Sequence, residues 1–192
     1  EAMRLARGDT TIDTSLKESR YLWGYQPLFV ELRRRFRGEV QEGRSAAFIE
    51  AKLRERDRRH QLHGGGSRYV LEPNIKESKG GLRDLHTLFW LAKFVYGIEE
   101  VSRLVERGIF SRAEVRRFTK ALDFFWTLRC QLHYLTGRAE ERLTFDLQQQ
   151  IAPLMGYTDH GGASAVERFM KHYFLMAKEV GGLTRIFCAQ LE

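Results

Sequence analysis

The segment Glu72–Leu85 carries the residue types that could hold an anion. Lys76, Lys79 and Arg83 would supply fixed positive charge around the pair Gly80-Gly81. Glycine lets a backbone approach a ligand closely, and a helix that begins here would expose unpaired N–H groups, which favour anions. The spacing differs from that of a P-loop, Gly-x4-Gly-Lys-Ser/Thr. The segment therefore indicates either a phosphate site without a P-loop or an ordinary helix that begins after glycine.

A second group of polar residues lies further along the chain, in a long apolar-periodic stretch. Trp126, Arg129 and His133 are spaced by three and four residues, so they share one face of a helix. This face could form a groove wall that meets the Lys76–Asp84 segment, or it could be a solvated edge. Arg138, just beyond the predicted helix end, could cap that end or join the same groove.

Residues for self-contained catalysis are absent from the sequence. There is no Asp-x-Asp pair, which two-metal nucleotidyl transfer requires, and no Gly-x-Ser-x-Gly motif. No His-Asp dipeptide occurs, and His60 and His63 have no third ligand near them in the sequence. We therefore predict no catalytic residue and no metal site within these residues.

Composition indicates a folded, helix-rich protein. Of 192 residues, 43% are hydrophobic, 30% are charged and only three are proline. The net charge of +7 raises the possibility of nucleic-acid binding, but most bases are interleaved with acids. We expect the i,i+4 pairs Glu50/Arg54 and Glu55/Arg59 on a solvated helix face, with only the run Arg33–Arg37 uncompensated. Nucleic acid is thus a disfavoured partner.

The sequence also bears on compartment and completeness. No apolar run approaches the roughly 20 residues needed to span a bilayer, so no membrane association is expected. Cys130 and Cys188 lie in apolar helical patterns without motif spacing, which predicts buried free thiols in a reducing cytoplasm. Because the chain begins with Glu1 and has no signal peptide, we expect a piece of a longer protein.

Hydrophobic periodicity predicts an all-α fold. Nearly every segment follows the 3.6-residue period, and none alternates as a strand. Capping boxes at Ser111–Glu114 and Ser164–Glu167 predict the starts of two long helices. With several shorter helices and short connections, these two indicate a helical bundle.

The run Glu72–Trp90 closely resembles the central segment of the bacterial PII-protein uridylyltransferase/uridylyl-removing enzymes. The similarity continues through Arg129–Arg138, Arg142–Gln148 and Val166–Tyr173, so it covers essentially the whole chain. A looser version of the Gly-Gly-Leu-Arg-Asp motif occurs in the helical domain of glutamine-synthetase adenylyltransferases. The lead-in Glu72–Lys76 argues against that relative.

The resemblance implies a domain order. In the family, a nucleotidyltransferase domain precedes this helical domain, and an HD hydrolase domain and two ACT domains follow. Residues 1–24 would then be the tail of the nucleotidyltransferase domain or linker helices, and residues 25–192 the helical domain. The parent protein would transfer UMP from UTP to a tyrosine of the PII signalling protein, with Mg²⁺ bound upstream. This piece alone would be inactive.

The resemblance and the residue types together give the expected roles. Lys76 and Arg83 would contact the triphosphate of UTP, and Lys79 would support them. Asp84 would orient Arg83 or, as we favour, cap the helix.

The remaining candidates would support these. Arg129 and His133 would line the groove behind the phosphates, with Arg138 beside them. Glu141 stands where an aspartate is common in the family, which weakens its claim to a site role.

Three other functions remain open from the sequence. The domain could grip PII without touching the nucleotide, which would need an exposed apolar patch. It could be a basic nucleic-acid adaptor, which would need a basic stripe on one face. It could also be the helical domain of a glutamine-synthetase adenylyltransferase.

Overall fold

The computed structural model describes residues 1–191, and within that range it is all-α, as predicted. Two isolated bridges, Asn74–Arg142 and His160–Ala163, are the nearest approach to sheet structure in the described residues. The helices are α1 Ala2–Gly8, α2 Thr10–Lys17, α3 Gln26–Phe36, α4 Ser45–Leu62, α5 Leu82–Tyr96, α6 Arg103–Glu106, α7 Arg112–Thr136, α8 Phe145–Leu154 and α9 Ala165–Cys188, with a π-helix at Arg37–Gln41. No helix in residues 1–191 combines the length and apolarity needed to cross a membrane.

The chain forms two compact units. The first contains Glu1–Glu55 and Phe89–Ile98, and the second contains Arg56–Leu88 and the chain from Glu99 onward. The two units are defined by packing and do not test the domain boundary expected after residue 24. That boundary stays a prediction.

The first unit has a small core. Phe36 and Val40 are buried with Ala6, and Phe48 stacks on Phe94 with ring centroids 4.0 Å apart. Stacking of this kind adds roughly 0.5–1.5 kcal/mol to the burial of the two rings.

The arginine run at the end of α3 is not uncompensated, contrary to expectation. Arg34 pairs with Glu31 at 2.7 Å, and Arg35 pairs with Glu39 at 2.8 Å. Both acids lie three or four residues away on the helical surface, so local pairing compensates two of the four arginines.

The second unit is built on the two long helices. Phe125 of α7 meets Tyr173 of α9 edge-to-face at 5.7 Å, and both side chains are buried. Each buried side chain of this size contributes roughly 1.5–3 kcal/mol relative to exposure. Both predicted capping boxes are present, with Ser111 and Ser164 accepting from the N–H groups of Glu114 and Glu167.

The cysteines differ from expectation. Both are free thiols, but Cys130 is exposed and Cys188 is only partly buried. Cys130 lies between the buried Leu128 and Leu132, on the outward face of α7. The helical period therefore excludes Cys130 from the apolar stripe that its neighbours form.

Gly80 lies directly against α9. Its φ is +83°, and a Cβ built on it would lie 2.9 Å from the carbonyl carbon of Ala177. Only a residue without a side chain can take this conformation at this distance. Gly80 therefore fixes how closely the start of α5 approaches α9.

We expect Gly80→Ala to destabilise the chain more than the matched change Gly156→Ala. Gly156 has a similar φ of +81° but open space where the Cβ would stand. Gly156→Ala should lose about 1–2 kcal/mol through backbone strain. Gly80→Ala should lose about 1–3 kcal/mol more through overpacking. Urea unfolding of the two variants measures this difference, and equal losses would contradict the close packing.

Candidate functional site

The loop at residues 72–81 is held by its own polar side chains. Asn74 Oδ1 accepts from the N–H groups of Lys76 at 3.1 Å and Glu77 at 2.7 Å. Ser78 Oγ donates to the His63 carbonyl and accepts from Asn74 N–H, both at 3.0 Å. These bonds use side-chain oxygens in the manner of an Asx turn. These bonds therefore fix the backbone from which the Lys76 side chain extends.

The same loop pairs with the segment that follows α7. Ile75 N–H donates to the Glu141 carbonyl at 2.8 Å, and Leu143 N–H donates to the Pro73 carbonyl at 2.9 Å. The carboxylate of Glu72 accepts from Phe145 N–H at 3.0 Å, at the N-terminus of α8. Residues 72–75 and 141–145 are therefore joined, although they are distant in sequence.

The helix start itself offers no free N–H groups to an anion. Gly81 N–H donates to Ser78, Leu82 N–H to Ile75 and Arg83 N–H to Lys76, at 2.8–3.1 Å. A Cβ on Gly81 would also lie 2.8–3.0 Å from three carbonyl oxygens of the loop. The glycine pair thus serves close packing of the chain on itself. Of the two alternatives that the sequence left open, an anion held by these backbone donors lacks support, because the loop occupies them.

Asp84 is the buried acceptor behind this turn. Its carboxylate accepts from Gly80 N–H at 2.8 Å, and His60 Nε2 lies 2.9 Å from both of its oxygens. Arg59 forms an ion pair with the same carboxylate. Burial alone would raise the pKa of Asp84, but His60, Arg59 and Gly80 together hold that pKa below its usual value.

Asp84 therefore holds the turn before α5 through Gly80, and its side-chain partners are on α4. Asp84 was expected to orient Arg83 or, as favoured, to cap the helix. Arg83 lies 3.4 Å from Glu77, and Asp84 accepts from Gly80 N–H just before α5. The expected pair Glu55/Arg59 is also wrong, since Arg59 is buried beside Asp84 and Glu55 pairs with Lys52. No local pattern could indicate this partner, because Arg59 and Asp84 are 25 residues apart.

Lys76, Arg83, His86 and Arg129 form a basic cluster. Lys76 Nζ and Arg83 Nη2 each lie 3.4 Å from Glu77 Oε1. Burial and then the charges of Arg83, Arg129 and Lys76 lower the pKa of His86 to about 4. His86 is therefore neutral at pH 7, and its ring lies 5.8 Å from that of Trp126.

Arg129 is positioned by Glu141 and Trp126. Its Nη2 and Nε lie 2.7 Å and 2.9 Å from Glu141 Oε1, and its guanidinium lies 5.2 Å from the Trp126 ring centre. His133 Nε2 lies 3.5 Å from the same Glu141 oxygen. Because the Glu141 backbone bonds the 72–81 loop, the face bearing Arg129 and His133 meets that loop. The sequence gives little weight to Glu141, which departs from the family pattern, and no role to His86, although His86 lies inside the motif.

The two other candidates lie elsewhere. Arg138 is 73% exposed and pairs with Glu140 at 2.6 Å. Lys79 lines a different cavity, together with Arg185 of α9. No group of three or more metal-ligating side chains that could hold a metal ion occurs in residues 1–191.

Comparison with known proteins identifies the family. The family model described as GlnD PII-uridylyltransferase matches residues 47–188, which include the loop, the basic cluster and both long helices. The chain belongs to the PII-uridylyltransferase family. This finding confirms the resemblance and gives no support to the adenylyltransferase alternative.

Relatives of this PII-uridylyltransferase domain are similar along its whole length. Proteins named bifunctional uridylyltransferase/uridylyl-removing enzyme are 59% identical in a Bradyrhizobium species and in Azospirillum brasilense, and 58% identical in Rhodospirillum rubrum. Each match covers 100% of this chain but 20% of the relative. The chain therefore spans about a fifth of the length of these relatives.

We expect Asp84→Asn to cost about 3–5 kcal/mol at neutral pH, because it leaves Arg59 buried without its carboxylate. The matched control is Glu50→Gln, which removes an exposed ion pair with Arg54 and should change stability by less than about 0.5 kcal/mol. Chemical unfolding measures both. A loss for Asp84→Asn as small as that of the control would contradict the structural role of this carboxylate.

The basic cluster predicts a pH dependence through His86. The pKa of His86 is about 4 in the folded chain and near 6.5 in the unfolded chain. As pH falls, the unfolded chain therefore binds the proton first. Its contribution to stability therefore falls as pH is lowered from about 6.5 to about 4. His86→Gln should remove this fall.

The measurement is the free energy of unfolding of both chains across this pH range. Asp13, whose pKa burial raises to about 6, contributes the opposite slope but is present in both chains and cancels in their difference. A difference that stays constant with pH would contradict the environment assigned to His86.

Proposed function

We propose that this domain assists UMP transfer from UTP to a PII protein by presenting the basic cluster to the nucleotide phosphates. The observation that carries the proposal is that Lys76 and Arg83 share Glu77, while Arg129 and His86 both lie against the Trp126 ring, at 5.2 Å and 5.8 Å from its centre. Relatives that contain the whole chain are named as uridylyltransferases, which supports a nucleotide as the anion. The reaction would take place in the bacterial cytoplasm.

Two features suit these residues to a phosphate. Lys76 and Arg83 share one carboxylate oxygen of Glu77 at 3.4 Å, which is longer than the roughly 2.7–2.9 Å of a charge-assisted hydrogen bond. A phosphate could therefore replace Glu77 Oε1 at these two side chains, while Glu77 Oε2 lies 3.5 Å from Arg59 Nε. Negative charge develops on the leaving pyrophosphate during nucleotidyl transfer, and positioned cations lower that barrier without donating or accepting a proton.

Each remaining residue has a narrower role in the proposal. Arg129 and His133 line the groove behind Lys76 and Arg83, and Glu141 positions them. Asp84 holds the turn that presents Arg83. Lys79 and Arg138 contribute no contact to the cluster, so we assign the phosphate contacts to Lys76 and Arg83.

The residues present do not fit Mg²⁺. The cluster presents cations, whereas Mg²⁺ is bound through carboxylate and phosphate oxygens. We therefore place the Mg²⁺ ligands and the catalytic carboxylates in the part of the parent protein outside this chain. On this proposal, the chain alone does not transfer UMP.

A second candidate function is docking of PII, and an exposed apolar segment of the first unit favours it. Leu22, Tyr25 and Leu28 are largely exposed, and Trp23 is 93% exposed. Such a patch is typical of a surface covered by another protein or domain. Trp23→Ala should lower affinity for PII while leaving UTP affinity unchanged if PII docks here.

We expect Lys76→Ala in the full-length protein to lower kcat/KM for UTP by about 10–100-fold, the range for loss of one hydrogen bond to a charged group. Lys171→Ala is the matched control, because it removes one exposed lysine of α9 that lies outside the cluster. UMP transfer to PII at varied UTP concentration measures the effect. Unchanged kcat/KM in Lys76→Ala would refute the phosphate contact.

A further inference from the structure

A separate cavity of about 490 Å³ lies in the second unit, between α4, Lys79 and the last turns of α9. Four basic side chains line it, together with Thr184 and Cys188. The four are Arg56, Arg68, Lys79 and Arg185. Lys76 and Arg83 do not line it, so it is distinct from the basic cluster.

Most of the positive charge in this cavity is uncompensated. Arg56 pairs with Asp57 at 2.8 Å, and the other acid at the cavity, Asp84, is occupied by Arg59. Lys79 and Arg185 make no side-chain hydrogen bond or ion pair within residues 1–191, and Arg68 reaches only the Lys178 carbonyl at 3.5 Å. Within residues 1–191, three cations therefore line one cavity without a carboxylate partner.

Gly181 gives Arg68 its place in this cavity. A Cβ on Gly181 would lie 2.7–2.9 Å from three atoms of the Arg68 guanidinium. The guanidinium thus lies against bare backbone in the middle of α9. Glycine is less favourable than alanine in the interior of a helix. Keeping Gly181 here makes room for a cation at the cavity.

We propose that this cavity binds the phosphate groups of a phosphorylated small molecule. Guanidinium groups match phosphate oxygens in a bidentate geometry, and a dianion suits three unpaired cations better than a single carboxylate would. The cavity volume falls within the usual range of roughly 300–1,000 Å³ for small-molecule sites. The inference does not depend on the proposed role of Lys76 and Arg83.

The test is calorimetric titration of the chain with inorganic pyrophosphate and with inorganic phosphate at low ionic strength. We expect saturable binding at one site, weakened about tenfold or more by Lys79→Gln. Gly181→Ala should weaken it similarly, since the added methyl group displaces only the flexible Arg68 side chain. Gly182→Ala is the matched control, because a Cβ there meets nothing within 4 Å and binding should be unchanged.

Alkylation of the two cysteines gives an independent readout. Cys188 lines the cavity, whereas Cys130 is exposed on α7. Bound pyrophosphate should slow alkylation of Cys188 and leave that of Cys130 unchanged. Equal rates for Cys188 with and without saturating pyrophosphate would overturn the proposed location.

Three calorimetric outcomes would also overturn the proposal. The first is no saturable binding of either anion, and the second is equal affinity for acetate. The third is binding that Lys76→Ala abolishes and Lys79→Gln leaves intact, since the anion would then lie at the basic cluster. That third outcome would leave the proposed function standing while refuting the cavity site.

Discussion

The candidate site depends on the contacts of one buried carboxylate, that of Asp84. It binds Arg59 and His60 of α4 and the backbone of Gly80, which lies against α9. Removing one member of a buried ion pair is costly because it leaves the other charge uncompensated. Here His60 and Gly80 complete the contacts of the carboxylate, whereas Arg59 Nε and Nη1 have no hydrogen-bond partner within the described residues. One side chain thus fixes the turn from which Arg83 and His86 follow. The basic cluster and the neighbouring cavity are both next to this turn.

This arrangement places the two lysines of the loop at two different surfaces. Lys76 and Lys79 are three residues apart in one loop, yet Lys76 lies beside Glu77 and Lys79 lines the cavity near α9. The loop between them is fixed by Asn74 and Ser78, so neither lysine can take the other's place without breaking those hydrogen bonds. Two anion-binding surfaces can therefore exist on one short motif.

Local sequence patterns were enough to predict the helices. The contacts of the candidate site depend on residues that are distant in sequence. The periodicity and the capping boxes at Ser111 and Ser164 depend on neighbouring residues, so the sequence was sufficient for both long helices. Arg59 was misassigned because an acid four residues before it suggested a surface pair, whereas its partner is 25 residues away. Glycine spacing indicated close approach but could not show that the approaching group was the chain's own backbone. The role of Glu141 could not be predicted, because it depends on the pairing of two loops that are distant in sequence.

The central claim is that the basic cluster faces the phosphates of UTP, and photocrosslinking tests it most directly. The full-length protein would be labelled with a UTP analogue carrying an aryl azide on its γ-phosphate, and the labelled peptides mapped by mass spectrometry. We expect label within residues 72–86 that excess UTP suppresses. UTP-suppressible label confined to other parts of the protein would contradict it.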